Sequence, residues 1–179
     1  YLWGAYNRLP VALATPSLFT FYGQSPQLKG ALVTTVSQSG KSPDIVAVVE
    51  EGKRQGCASL AITNAPDSPL AAASDFVIDI AAGPEKAVAA TKTYTAELLA
   101  MALLSVELAD DASRRADLQK LPIWAQQVLA LDEEIARLAE RFRYMEHCVV
   151  IGRGFNYATA FEWSLKMKEL TYSVAEPYS

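Results

Sequence analysis

Apolar positions along this chain change period several times, and each change marks an element. Ala31 to Val36 is an apolar, β-branched run of strand length. From Pro43 to Gln55 the apolar residues Ile45, Val48 and Val49 recur at helical spacing, and Gly56 follows as a stop signal. Cys57 to Ile62 is a second apolar run, ending in Thr63-Asn64. Asp67-Ser68-Pro69 opens a short helix, and Phe76 to Ile80 reads as a third strand preceded by Asp75. This β–α–β–α–β order with short connections predicts a parallel sheet, because parallel strands need helical crossovers. Upstream, Tyr1 to Leu9 reads as the end of a helix and Val11 to Ala14 as a short strand. Leu18 to Tyr22 is an apolar segment whose type the pattern leaves open.

Downstream the period changes again. Thr91 to Leu108 reads as a long helix, apolar nearly all round, which predicts burial between layers or in a subunit interface. Arg114 to Arg143 is charge-rich, contains Pro122, and reads as a pair of linker helices. His147 to Ile151 is then a strand, Gly152-Arg153-Gly154 a turn, and a helix starts near Tyr157. That loosely repeats the first unit and suggests an internal duplication. The predicted fold class is α/β, a doubly wound parallel sheet with the start of a second, similar domain.

The chemistry concentrates at the end of the first long strand, in Thr34-Thr35-Val36-Ser37-Gln38-Ser39-Gly40-Lys41-Ser42-Pro43-Asp44. Ser42, Pro43 and Asp44 read as an N-cap, a first-turn proline and a first-turn acid. A strand, a hydroxyl-rich turn and a helix N-terminus together make an anion site, and phosphate is the natural guest. A nucleotide P-loop is a poor fit. Gly40-Lys41-Ser42 supplies one end of that motif, but the position five before Gly40 is Thr35, not glycine. A small phosphorylated molecule fits better.

Composition narrows the classes. The chain has 179 residues, of which 51% are hydrophobic, enough for one domain or one plus part of a second. A net charge of −4 argues against nucleic acid as a partner, so an anionic ligand must be held by local donors. The longest apolar run, Leu98 to Val106, is flanked by Glu97 and Glu107 and is too short for a membrane span. Cys57 and Cys148 sit in apolar strand-like runs without metal spacing. They read as buried structural thiols of a protein in a reducing, cytoplasmic compartment. No signal peptide is visible. The chain begins at Tyr1 and stops at Ser179 without a tail-like composition, so it reads as a fragment.

Further candidates lie later in the chain. Glu162, Lys166 and Glu169 stand at i, i+4 and i+7 and share one helix face. Phe161, Trp163, Leu165, Met167 and Leu170 make the rest of that helix apolar, so the charged row is expected to border a packed surface. Two carboxylates around an ammonium can provide an acid and a base with separated pKa values. Such a row is otherwise a solvated salt-bridge stripe. Gly83-Pro84-Glu85-Lys86-Ala87-Val88-Ala89-Ala90-Thr91-Lys92 joins a strand end to the long helix, and its backbone could close over a sugar or phosphate. Gly152-Arg153-Gly154 fails as a dinucleotide fingerprint because the third glycine position is Tyr157. His147, the single histidine, has no hydroxyl, thiol or metal-ligand partner in a motif and reads as structural.

Taken together, Ser37-Gln38-Ser39-Gly40, Val88-Ala89-Ala90-Thr91-Lys92 and Gly152-Arg153-Gly154…Glu162…Lys166-Met167-Lys168-Glu169 resemble the sugar isomerase (SIS) domain family. The likeness is to its double-domain branch, which has a flavodoxin-like, Rossmann-like sheet. That branch includes the isomerase half of glutamine–fructose-6-phosphate aminotransferase and the SIS-type glucosamine-6-phosphate deaminases. The resemblance implies a first SIS domain over residues 1–112 that lacks its N-terminal βα unit, linker helices over 113–145, and the beginning of a second domain over 146–179. It implies that Ser37, Gln38, Ser39 and Ser42 hold a sugar phosphate and that Val88 contributes backbone contacts to the sugar. Ser42 stands where the synthases carry threonine.

By the same resemblance Glu169 matches the general base between C1 and C2, with Lys166 and Glu162 as charged neighbours. The implied activity is an aminosugar-phosphate deaminase/isomerase, converting glucosamine 6-phosphate to fructose 6-phosphate and ammonia. The alternatives are the isomerase half of the glutamine-dependent synthase and a non-catalytic module that senses a sugar phosphate. No cofactor or metal is implied, a homodimer is, and a ring-opening histidine would follow Ser179. The 179 residues alone are therefore expected to be inactive.

Overall fold

A computed structural model of the chain describes residues 1–179. Packing divides them into two compact units, Pro10–Leu104 and Tyr1–Leu9 with Ser105–Ser179.

The Pro10–Leu104 unit is built on β1 (Leu32–Ser37), β2 (Ala58–Thr63) and β3 (Phe76–Asp79), all parallel and in sequential order. The expected βαβαβ order is therefore the observed one. Every residue of β2 after Ala58 is buried, as a central strand covered on both faces requires. Between β1 and β2 runs α3 (Pro43–Arg54). Proline at its start, Asp44 in its first turn, and Lys53 and Arg54 in its last all suit a helix of that polarity. Its inner face is Val48, Val49 and Gly52, with Ile45 beside them, as the period indicated. Gly52 is needed for space, since a Cβ there would come within 2.6 Å of Val33 Cγ2. Val33, Val48, Val49, Cys57, Ala61 and Leu70 form the core.

Between β2 and β3, α4 (Pro69–Ala73) starts where Asp67-Ser68-Pro69 placed it. The Ser68 hydroxyl accepts from Ala71 N–H at 3.3 Å. The open segment Leu18 to Tyr22 falls largely in α2 (Pro16–Thr20). Val11 to Ala14 forms no strand. Bracketed by Pro10 and Pro16, it has no neighbour to pair with, and Leu13 is 96% exposed.

One polar network pins residues 25–28 to the end of α3. Glu51 Oε1 accepts from Ser25 Oγ (2.7 Å), Gln55 Nε2 (2.6 Å) and Arg54 Nη2 (2.6 Å), while Arg54 Nε reaches Oε2 (2.7 Å). Gln55 in turn accepts from Leu28 N–H at 2.7 Å and donates to Pro26 O at 3.0 Å. Cys57 is buried as expected, its thiol donating to Leu28 O at 2.8 Å.

The second unit holds α1 (Leu2–Asn7), which confirms the helix end at Tyr1–Leu9. Its Asn7 exchanges two hydrogen bonds with Ser105, through Nδ2 to the carbonyl (2.8 Å) and Oδ1 from the hydroxyl (2.6 Å). Ser105 lies on the long helix α5 (Lys92–Ala109), which begins in the first unit. That helix is not buried all round. Ala100, Ser105 and Val106 are buried, but Leu98, Leu99, Leu103 and Leu108 are exposed, because no other part of this chain packs over those positions.

The linker region is not a helix pair. It is α6 (Ala112–Leu118), α7 (Leu121–Leu129), α8 (Asp132–Ala139) and a 3₁₀ turn, Glu140–Phe142. Pro122 cannot continue a helix and instead stands in the first turn of a new one. Next, β4 (His147–Ile151) and β5 (Val174–Tyr178) pair in parallel around α9 (Phe155–Thr171). No strand was expected at Val174–Tyr178. Proline is tolerated because β5 is an edge strand. Cys148 is only half-buried, and His147 is the exposed first residue of β4. No helix is long and apolar enough to cross a membrane.

The Glu51 network gives a pH signature. Hydrogen bonds from Arg54, Gln55 and Ser25 lower its pKa from the ordinary 4.5 to about 2. The stability it lends is therefore complete above 4.5 and disappears as pH falls toward 2. Glu51→Gln is expected to lower Tm at pH 7, with the gap to wild type closing as pH falls from 4.5 toward about 2. A gap independent of pH in thermal melts would refute this.

Candidate functional site

Three parallel strands end on one edge, so their C-terminal turns are neighbours. The first runs from Ser37 to Ser42. Gly40 has φ 59°, a left-handed conformation that glycine adopts without cost. A Cβ there would also collide with the Ser68 side chain. The Gly40 carbonyl accepts from Leu70 N–H at 3.1 Å, so the turn leans on the start of α4.

The expected residues of this turn come together. Ser37 Oγ accepts from Gly40 N–H (3.2 Å) and Ser39 Oγ from Lys41 N–H (3.4 Å). A hydroxyl used as an acceptor keeps its own hydrogen for a ligand. Ser42 sits at the N-cap of α3, but its hydroxyl makes no capping bond. The helix ladder begins with Val46 N–H on the Ser42 carbonyl, which leaves the Asp44 and Ile45 N–H groups unused. Ser37, Gln38, Ser39 and Ser42 are all half-buried. The turn therefore offers several neutral donors without a cationic cluster, as an anion site in an acidic chain requires.

The third strand end leads into residues 80–91. Their backbone is organised by Glu85, which the sequence did not single out. Glu85 Oε2 accepts from Thr91 N–H (3.3 Å), Thr93 N–H (3.3 Å) and Thr93 Oγ1 (3.0 Å), and Oε1 accepts from Ala87 N–H (3.3 Å). Partial burial pushes its pKa up, but these hydrogen bonds outweigh it and hold the carboxyl below its ordinary value. Inside this clamp the N–H groups of Val88, Ala89 and Ala90 make no bond within the chain. The Val88 side chain is fully exposed. Both the backbone and the side chain of Val88 are thus open to solvent. No local pattern flags Glu85, because its partners lie up to eight residues ahead.

In the other unit, α9 lies on β4 and β5 through small residues. Ala160, Ser164 and Ala175 are buried, and Ser164 Oγ donates to the Ala175 carbonyl. Gly154, with φ 62°, caps the start of the helix. Glu162, Lys166 and Glu169 do share a face, roughly half a turn around the helix from Ser164. Lys166 Nζ lies 3.2 Å from Glu162 Oε1 and 3.1 Å from Glu169 Oε2. Partial burial pulls the lysine pKa down, but the two carboxylates reverse that and hold it above its ordinary value. Lys166 is thus a permanent positive charge near neutrality. Of its partners Glu169 is the more accessible, with 41% of its side chain exposed against 22% for Glu162. The neighbouring apolar residues do not form the expected packed border. Phe161, Trp163, Leu165 and Leu170 are all exposed, because the helix meets the sheet only through its small-residue stripe. No group of three or more His, Cys, Asp or Glu side chains is placed to hold a metal ion.

With this geometry in view, residues 25–106 match the model of the SIS domain. The chain is 34% identical to a glutamine–fructose-6-phosphate aminotransferase (isomerizing) of Clostridium acetobutylicum, over 100% of this chain and 31% of that protein. It superposes on the C-terminal domain of glucosamine-fructose-6-phosphate aminotransferase from Francisella tularensis with TM-score 0.91. The identity there is 31%, covering 99% of this chain and 52% of the other. A protein assigned to the phosphosugar isomerases from Silicibacter pomeroyi gives TM-score 0.90 and 40% identity, covering 99% of this chain and 54% of the other. The chain therefore spans less than a third of the curated relatives it matches and about half of these solved chains.

The turn makes one prediction. Gly40→Ala places a Cβ both in a left-handed backbone and on Ser68, a cost of at least about 1 kcal/mol from conformation alone. Reduced phosphate-ester binding together with a lower Tm is expected. Unchanged affinity and Tm would show that this turn tolerates a different conformation.

Proposed function

Because this chain belongs to the sugar isomerase (SIS) domain family, we propose that the full-length protein interconverts an aminosugar phosphate and a ketose phosphate by moving a proton between C1 and C2. The Ser37–Ser42 turn and the start of α3 take the phosphate, through the hydroxyls of Ser37, Ser39 and Ser42 and the Gln38 amide. The free N–H of Val88 contacts the sugar. This remote binding orients the reacting carbons.

Glu169 is the base. Removing a proton beside a carbonyl or imine needs a carboxylate within hydrogen-bond reach and a positive charge to steady the enediolate or enolamine. Lys166 supplies that charge, and Glu162 holds it from the far side. The observation that carries this reading is the ion-paired row itself, a permanently charged lysine between two carboxylates of unequal exposure. A module that only sensed a sugar phosphate would have no use for the row.

The specific reaction we assign is glucosamine 6-phosphate and water to fructose 6-phosphate and ammonia: proton transfer between C1 and C2 forms the C2 imine, whose hydrolysis supplies the ketose oxygen and releases the nitrogen. The second reading takes the nitrogen from glutamine in the opposite direction. It is favoured by the aminotransferase relative, which is 34% identical over this whole chain.

Both are tested in the full-length protein by following ammonia and fructose 6-phosphate from glucosamine 6-phosphate without glutamine. Stoichiometric release of both is expected, with kcat falling about 10²–10⁴-fold in Glu169→Gln. Turnover of fructose 6-phosphate only when glutamine is supplied would establish the second reading. Binding without turnover in either direction would leave the sensor. The exposed leucines of α5 support pairing of two copies, and light scattering is expected to give a dimer; a monodisperse monomer would refute it.

A further inference from the structure

Asn64 is the first residue after β2, the central strand of its sheet. Its main-chain N–H donates to the Gln38 carbonyl at 3.2 Å, in the turn that follows β1. The hydroxyl of the fully buried Thr63 donates to the same carbonyl at 3.4 Å. The Asn64 side chain points the other way. Its Nδ2 donates to the Gly83 carbonyl at 2.7 Å, and its Oδ1 accepts from Ala82 N–H at 3.0 Å, both in the segment that follows β3. Each end of the amide is used, so its orientation is determined.

Thr63 also bridges the two turns, since its carbonyl accepts from Ile80 N–H at 3.0 Å, but only Asn64 reaches Ala82 and Gly83. β1 and β3 are not adjacent, so only a residue on the central strand stands beside both turns. The segment after β3 also needs an external hold. Ala81 (φ 50°) and Gly83 (φ 68°) both take left-handed conformations, and Ala81 does so as a non-glycine residue. The residue type follows from the chemistry. A short side chain must present one donor and one acceptor side by side to a carbonyl and the N–H preceding it. Aspartate lacks the donor, serine is too short to reach both, and glutamine is one methylene too long.

We propose that Asn64 is a positioning residue that fixes the two substrate-holding loops to each other, so that phosphate and sugar are bound in one register. The proposal rests on the reading that Ser37–Ser42 and the Val88 loop hold a sugar phosphate. Asn64 touches neither in that role; it acts through Gln38 and through Ala82 and Gly83.

The test uses the full-length protein with Asn64→Ala, which removes both side-chain bonds, and Asn64→Asp, which keeps the shape and the Ala82 bond. Amide hydrogen exchange without ligand is expected to speed up in residues 81–91 and also in 37–42, more in Asn64→Ala than in Asn64→Asp. KM for glucosamine 6-phosphate is expected to rise about tenfold in Asn64→Ala, with a smaller change in kcat and a partial return in Asn64→Asp. Faster exchange confined to 81–91, with KM unchanged, would overturn the proposal while leaving the proposed function intact. Faster exchange in both loops of a protein whose wild type neither binds nor turns over a hexose phosphate would keep the coupling and sink the functional reading. If Asn64→Ala does not fold, the same comparison is made on Asn64→Asp.

Discussion

The carboxyl edge of a parallel sheet concentrates a problem of hydrogen bonding. Every strand ends there, and each turn carries main-chain groups with no further strand to receive them. In this chain the central strand solves it for its neighbours. Thr63 is fully buried and directs its hydroxyl to the Gln38 carbonyl, while Asn64 extends the ladder in one direction and grips Ala82 and Gly83 in the other. Gly40 can then approach Ser68 closely enough for its carbonyl to accept from Leu70 N–H. The shape of the Ser37–Ser42 turn depends on those contacts, because none of its own residues spans the edge.

Electrostatics follows a similar economy. An acidic chain of net charge −4 cannot attract a phosphate by its overall field. What the turn offers instead is hydroxyl hydrogens freed by accepting from local N–H groups, and an uncapped helix start. On α9 the arrangement is reversed. There a single cation is surrounded by two anions, and its charge is secured by their proximity rather than by exposure. A donor-rich turn suits recognition of a fixed anion, while a carboxylate beside a secured ammonium suits a charge that develops and disappears during proton transfer.

The sheet with α3 and α4 was legible because its signals are local: strand-length apolar runs, helical spacing of Ile45, Val48 and Val49, and a proline after serine at each helix start. The Glu162, Lys166 and Glu169 row was legible for the same reason, since helical period alone puts those positions on one face. The segment Val11–Ala14 looks like a strand and is none, and Val174–Tyr178, where no strand was expected, is one. Both outcomes turn on whether a pairing partner lies alongside, which no window of sequence contains. The exposure of Phe161, Trp163, Leu165 and Leu170 is of that kind too, because composition makes a helix apolar but only neighbours can cover it.

By itself, then, the sequence determined the elements, the hydroxyl-rich turn and the candidate charges on α9. Each depends on residues within one or two turns of chain, where steric and hydrogen-bonding preferences act directly. Tertiary structure alone decided that Asn64 would serve two loops, that Glu85 would gather Ala87, Thr91 and Thr93, and that the Ser42 hydroxyl would stay uncapped. A polar side chain at a strand end can take several partners of similar strength. Which of them it takes is settled only when the fold brings one within 3 Å and excludes water from the rest.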